Sequence, residues 1–580
     1  MKHLRRLAPY VWRHRAALAR GLAFLVITAL LASASPWVLR SAVDDLTRRL
    51  THEKLWTYAL VIVALVAAEG LFRYGTRLTL IGMSREIEYE LRQDLFSHLC
   101  RLAPAYYHTH RIGDLMSRAT NDLAAVRMVL GPGIMYSANT AATFVTALAL
   151  MAAISPRLLA VSLLPLFVVA WLVYRFGRLI HDRSEQVQAQ LAHLSAVVQE
   201  NLAGARVVRA YVQEPAEQRR FQAANDEYLR RSRRLIVLVG GLQPLVITLL
   251  GFGAVLVLWL GGSMVAAHTI TLGDFVAFTV YLGMLHWPTI AIGWVTNIVE
   301  RGEASMGRCL ELLDAPVEIL SADGATACDV RGAVEFRGLT FAYGDGPAVL
   351  HDIDLSVPAG STLAIVGPTG SGKSTLVGLL PRLHDPAPAT LFVDGRDVRE
   401  LPLAGLRRSI GFVPQEAFLF SNTLRANVAL GAPEQIATPE RVEWAVEAAQ
   451  LANEVREFPE GYETQIGERG ITLSGGQKQR AALARALVRD PRILVLDDAL
   501  AAVDAQTEER ILTNLKAFAA GRTTFIVSHR VSAVRWADLI VVLRKGRIVE
   551  RGRHDELILA DGYYADLHRR QLLEDEMAEA

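Results

Sequence analysis

Cysteine is scarce in this 580-residue chain, with only Cys100, Cys309 and Cys328. An odd number of thiols, spread so widely, fits neither a disulfide framework nor a thiolate metal cluster, so all three are expected to be idle or buried. A surplus of one charge sign is missing too. Lys and Arg number 61 against 59 Asp and Glu, which leaves +2. No global basic field is present, so no nucleic-acid partner is expected. Charge of either sign is thin, at 21%, while hydrophobic residues make up 52% and the mean hydropathy is +0.25. Disorder needs the opposite balance and is excluded for the bulk of the chain. An ordinary soluble enzyme is less apolar and more charged. A membrane protein is what remains.

The apolar residues are gathered into long runs. Gly21–Leu39, Leu55–Ala68, Met128–Pro156, Leu158–Tyr174, Leu235–Ala267 and Phe275–Val299 carry no Asp, Glu, Lys or Arg. Crossing the hydrocarbon takes about 20 apolar residues. Six spans are expected, at 18–43, 55–80, 130–153, 156–178, 235–262 and 273–299. The basic start and Ala32-Ser33-Ala34 resemble a cleaved leader. The apolar run continuing past Pro36 argues for a retained first span.

The connections alternate in length. Spans three and four are joined by little more than 154–156, and spans five and six by a turn around His268–Gly273. Segments 81–129 and 179–234 are long, helical in pattern and rich in arginine, including Arg85, Arg92, Arg118, Arg127, Arg206, Arg209, Arg219 and Arg230. Positive loops mark the cytoplasmic side. These two segments and both termini are therefore expected there, and 154–156 outside. In span two, Glu69, Arg73 and Arg77 share one helix face. They pair internally, lie beyond the lipid or serve function. Trp287-Pro288 is expected to kink span six.

After Val299 the pattern changes. The expected division is a membrane domain at 1–310, a linker at 311–332 and a soluble domain at 333–580. Short β-rich runs then alternate with helical ones, as in an α/β sheet domain. The acidic tail QLLEDEMAEA is expected to fray.

The soluble half holds the chemical motifs. Gly367-Pro-Thr-Gly-Ser-Gly-Lys373-Ser374 fits G-x-x-x-x-G-K-[ST], with the strand TLAIV before it and a helical pattern after it. In this phosphate loop, Gly367, Thr369, Gly370, Ser371, Gly372 and Thr375 are expected to line the phosphates. Lys373 should reach the β- and γ-phosphates, and Ser374 should ligate Mg2+. Ile493–Asp498, ILVLDD, is an apolar strand ending in two carboxylates, and Asp497 is placed to hold the Mg2+ shell.

Between them stands Leu473-Ser-Gly-Gly-Gln477, followed by KQRAALARAL. It resembles the signature motif of ABC transporters. That resemblance implies further roles. Ser474, Gly475, Gly476 and Gln477 face ATP, Tyr343 stacks on adenine, and Gln415 is the Q-loop glutamine, a catalytic and metal-binding residue. Gly467–Gly470 is the stretch before the signature, Asp504 is the D-loop aspartate and His529 the switch histidine. Tyr106–Leu123 and Val198–Tyr211 resemble the two coupling loops of exporter-type members.

The implied fold is an all-α six-helix transmembrane domain followed by an α/β P-loop NTPase, the ABC nucleotide-binding domain. The implied partners are a second half-transporter, the lipid bilayer and a hydrophobic or amphipathic cargo; the cofactors are ATP and Mg2+. Two positions depart from the family pattern: Asp498 stands where a glutamate base is usual, and Ala501 where serine is common. Asp498 would be a weak base. This chain thus resembles the degenerate half of heterodimeric multidrug exporters. A homodimer, a lipid flippase of the same build and an ATP-gated channel or regulator stay open.

Overall fold

The computed structural model describes residues 2–48, 51–321, 329–467 and 473–579. Its contacts divide the chain into two compact units. One comprises Met1–Cys100 and Ile112–Ala315; the other comprises Arg101–Arg111 and Pro316–Ala580.

The first unit is helical throughout. Its long helices are α1 (Arg15–Arg48), α2 (His52–Leu99), α3 (Ile134–Ile154), α4 (Pro156–Ala203), α5 (Glu214–Ala266), α6 (Leu272–Met284) and α7 (His286–Leu313). Among the described residues, six stretches are long and apolar enough to cross a membrane, with α6 and α7 forming the last. The helices α2, α4 and α5 reach 48, 48 and 53 residues. At 1.5 Å per residue this is about two and a half times the hydrocarbon thickness, so the charged segments simply prolong the spans.

Local chemistry sets the two short turns. Ser155 caps α4, its Oγ accepting from the Leu158 N–H at 3.3 Å, with Pro156 at the first helical position. Thr271 and Asp274 form a reciprocal capping box at the start of α6. Asp44 of α1 then accepts from Thr271 Oγ1 and from the Gly273 N–H, both at 2.8 Å. The helix of span six is interrupted at Leu285, just ahead of Trp287-Pro288. Proline thus occupies the first turn of α7, where its missing N–H costs nothing. Between α2 and α3 the chain makes two π turns, Arg118–Asp122 and Val129–Gly133, the second carrying Pro132.

The second unit is α/β. Its strands are β1 (Val334–Ala342), β2 (Ala348–Val357), β3 (Thr362–Val366), β4 (Leu391–Val393), β5 (Arg396–Asp397), β6 (Ile410–Val413), β7 (Asn422–Thr423), β8 (Gln465–Ile466), β9 (Ile493–Asp497), β10 (Thr523–Val527), β11 (Leu539–Arg544) and β12 (Arg547–Gly552). The main sheet runs β12-β11-β3-β10-β9-β6 and is parallel except at β12. Every residue of β3, β9 and β10 is buried, as expected of strands covered on both faces. An antiparallel sheet, β2-β1-β4-β5, and the pair β7-β8 complete the strands. Helices follow at α8 (Lys373–Gly378), α9 (Gly475–Val488), α10 (Ala505–Ala519) and α11 (Tyr563–Glu579). The tail expected to fray is therefore helical to Glu579, with Asp566 in its first turn favourable to the helix dipole. Cys309 is buried, which pushes its thiol up to about 12, while Cys100 is exposed. Part of the linker, 322–328, which includes Cys328, lies outside the described residues.

Candidate functional site: a nucleotide cleft at the strand ends

Four neighbouring parallel strands deliver the cleft. The carboxyl end of β3 runs into the phosphate loop and that of β6 leads to Gln415. β9 ends at Asp497 with Asp498 next, and β10 leads to His529. Crevices outside strand carboxyl ends are where open α/β sheets bind ligands. The cavity there is about 200 Å3, lined by Val349, Thr369 to Thr375, Gln415, Asp497, Asp498, Val527 and His529.

Glycine is required at two loop positions. Gly367 sits at φ 153°, where a Cβ would strike the Leu543 carbonyl, and Gly372 caps α8 at φ 101°. Lys373 is buried, and its Nζ donates to the Gly367 and Pro368 carbonyls, both at 2.9 Å. Burial lowers its pKa, while Asp498 and Asp497 pull it back up. Ser374 Oγ donates to Asp497 Oδ1 at 3.0 Å. Burial raises the Asp497 pKa against that hydrogen bond. Asp498 has a left-handed backbone, φ 51°, and its N–H donates to the Val527 carbonyl at 2.9 Å. Burial, then repulsion from Lys373, lowers the His529 pKa, and Asp498 opposes this. The Ser371 hydroxyl is buried with no partner among the described residues, an unspent donor in a phosphate-sized cradle.

Tyr343 follows β1 and is 45% exposed. Its hydroxyl bonds Thr375 Oγ1 at 2.9 Å, and its ring stands edge-on to Phe341 and His384. His384 carries no sequence signal for this supporting role. Burial and then His108 lower the His384 pKa, so the Arg101–Arg111 segment reaches the neighbourhood of the Tyr343 platform. Val349 and Val527 also line the cleft; sequence reading passes over them because apolar strand residues look like core.

The remaining expected residues are elsewhere. Ser474 caps α9: its Oγ accepts from the Gln477 N–H at 3.3 Å, and Gln477 Oε1 accepts from the Ser474 N–H at 2.9 Å. Gly475 and Gly476 form the first turn of α9, and Asp504 caps α10 by accepting from the Thr507 N–H at 2.9 Å. None of Ser474, Gly475, Gly476, Gln477 and Asp504 lines the cleft. Gln479 ties the two elements together, its Oε1 accepting from the Ala502 N–H at 2.9 Å. Of Gly467–Gly470, residues 468–470 lie outside the described residues.

A phosphate loop at the edge of a parallel sheet, fused to a bundle with six potential spans, defines an ATPase-coupled multi-pass membrane protein. The family pattern of the ABC transporter transmembrane region matches residues 18–289, and the ABC transporter pattern matches 350–501. The chain is 37% identical to the probable multidrug resistance ABC transporter ATP-binding/permease protein YheI of Bacillus subtilis, over 93% of this chain and 92% of that one. It is 36% identical to the multidrug resistance-like ATP-binding protein MdlA of Escherichia coli, over 97% and 95%. It is 30% identical to an ATP-dependent lipid A-core flippase of Syntrophus aciditrophicus, over 100% and 96%. A solved bacterial Atm1-family ABC exporter with ATP bound superposes with a TM-score of 0.77 at 28% identity, covering 97% of this chain and 98% of that one. The protein belongs to the ABC transporter family and has the exporter-type half-transporter build.

Proposed function

We propose that this chain is one half of an ATP-driven exporter of hydrophobic or amphipathic compounds, and that its own ATP site is the weak one of a pair. One observation carries the pairing. The phosphate loop and the signature belong to the same unit, yet the signature lies outside the cleft, so a second chain is needed to bring a signature to this ATP. The second loop supports this. Around the short helix Ala205–Ala210, Tyr211 and Val212 are 73% and 74% exposed, apolar surface suited to a partner.

The donor set suits Mg2+. Ser374, Asp497 and Gln415 offer hard oxygens, and Mg2+ takes few protein ligands because it keeps waters and substrate phosphates. These residues would hold it; when bound, it neutralises phosphate charge. Lys373 and the loop N–H groups orient the phosphates. His529, held neutral, can hydrogen-bond the γ-phosphate. Asp498 is the candidate base, but it is one methylene shorter than glutamate, and misplacement by about 1 Å costs on the order of 10²-fold. The arginine-rich segments support a cytoplasmic position for the ATPase unit at the inner membrane.

Turnover by the purified chain, alone and with its partner half, tests this reading. The chain alone should hydrolyse ATP poorly. Asp498→Asn should change the pair's rate less than twofold, and Asp498→Glu should raise the single chain's rate. Vigorous hydrolysis by the single chain, lost in Asp498→Asn, would make it a competent homodimer. ATP-dependent flux into liposomes separates a pump from a gated channel.

A further inference from the structure

The membrane unit contains a cavity of about 260 Å3, walled by α1, α2, α3 and α7. Arg73, Arg77, Thr76, Tyr136, Asn139 and Trp287 are among its lining residues, and no carboxylate is. Arg73 is paired with Glu69 one turn away. Arg77 has no carboxylate partner among the described residues, so one positive charge faces the cavity uncompensated.

Depth gives that charge a meaning. Arg77 lies 22 residues along α2 from Leu55, roughly 33 Å at the helical rise. Tyr136 lies 18 residues from the Ile154 end of α3, roughly 27 Å. Both estimates fall near the far border of a hydrocarbon layer of about 30 Å. With 154–156 outside, that border is the cytoplasmic one. An ionisable group kept unpaired at the membrane edge is a functional candidate. The guanidinium fork matches phosphate or carboxylate oxygens. Asn139 and Thr76 can add hydrogen bonds. Trp287 is exposed, and Tyr136 is held edge-on against Trp294 at 4.9 Å. Together they offer an amphipathic wall next to the charge.

We propose that this cavity takes the anionic headgroup of an amphiphile, with Arg77 as its charge partner and Trp287 beside its apolar chain. This deepens the export reading by assigning a cargo chemistry, and it uses the topology given there. The same chemistry fits an anionic bilayer lipid and a soluble anionic amphiphile.

The full chain in phosphatidylcholine nanodiscs, without ATP, is titrated with radiolabelled dodecyl phosphate and with dodecyltrimethylammonium. The phosphate should bind at least tenfold more tightly than the cation. Arg77→Ala should erase that preference, and Arg77→Lys should retain part of it, which separates charge from folding. Competition by phosphatidylglycerol assigns the site to bilayer lipid; failure to compete assigns it to a soluble amphiphile. Equal binding of anion and cation, an unchanged preference in Arg77→Ala, or full displacement by inorganic phosphate alone would overturn the proposal. Since binding is read without nucleotide, a failed ATPase or flux test would leave this result standing.

Discussion

The two units use several key polar groups differently. In the helical unit the central ones pair within the chain, although the buried Ser232 hydroxyl has no partner among the described residues. Asp122, buried in a π turn, accepts from Ser305 Oγ at 3.0 Å and from Arg308 Nε at 2.9 Å. Glu88 is shared by Arg85, Arg92 and Arg127, and Arg40 pairs with Asp274 at 2.7 Å. In the ATPase unit, among the described residues, Lys373 Nζ is bonded by its own loop, the Ser371 hydroxyl has no partner, and Asp497 accepts from Ser374. Polar groups saturated inside a fold set its geometry, whereas those left short of partners at a cavity are available to a ligand. Arg77, exposed and lining the membrane-unit cavity without a carboxylate partner among the described residues, is a membrane-unit residue of the second kind.

Substitutions can break this contrast. The largest effect is expected from Ser474→Arg, which puts a bulky cation where a neighbouring chain's γ-phosphate would meet the signature. ATPase assays of the pair should fall by on the order of 10²-fold, as for loss of a transition-state positioning contact, with little change in melting temperature. Next, Lys373→Ala should weaken nucleotide binding at this chain's own site by roughly tenfold to a hundredfold, since hydrogen bonds to charged groups are worth about 1.5–3 kcal/mol. Equilibrium binding of a fluorescent ATP analogue reads it; unchanged affinity would remove the loop from the site.

Asp122→Ala should do the reverse, costing about 2 kcal/mol of stability through the stranded Arg308 and Ser305 partners, with nucleotide affinity intact. Burial pushes the Asp122 pKa up, but the Arg308 and Ser305 hydrogen bonds and the Arg308 charge outweigh it and the net shift is downward. Its stabilisation is thus full above the ordinary carboxylate range and lost as pH falls through the depressed value. Acid melting curves should converge for wild type and variant at low pH. The smallest effect concerns His529. With its pKa lowered, it is neutral at pH 7, so kcat should stay flat on mild acidification and fall only below the ordinary histidine range. A rate that rises on mild acidification would mean the imidazole works charged.

Much of this architecture is legible in the chain. The apolar runs mark the spans, because only uninterrupted hydrophobic helix tolerates lipid. The phosphate loop announces itself since its glycines, lysine and serine each answer a backbone or phosphate constraint. Ser155-Pro156 and Thr271–Asp274 mark helix starts through side-chain capping. Long-range results are a different matter. Sequence order lists Tyr343, Lys373, Gln415, Ser474, Asp498 and His529 as one series of motifs. Only the parallel pairing of β3, β6, β9 and β10 gathers the phosphate loop, Gln415, Asp498 and His529 at one edge and leaves Ser474 on the end of α9, outside the cleft. The grouping of Arg101–Arg111 with the ATPase unit was likewise decided by packing. Capping, hydropathy and loop glycines act over a few residues and can be read locally, whereas strand order and charge pairing depend on neighbours tens to hundreds of residues away.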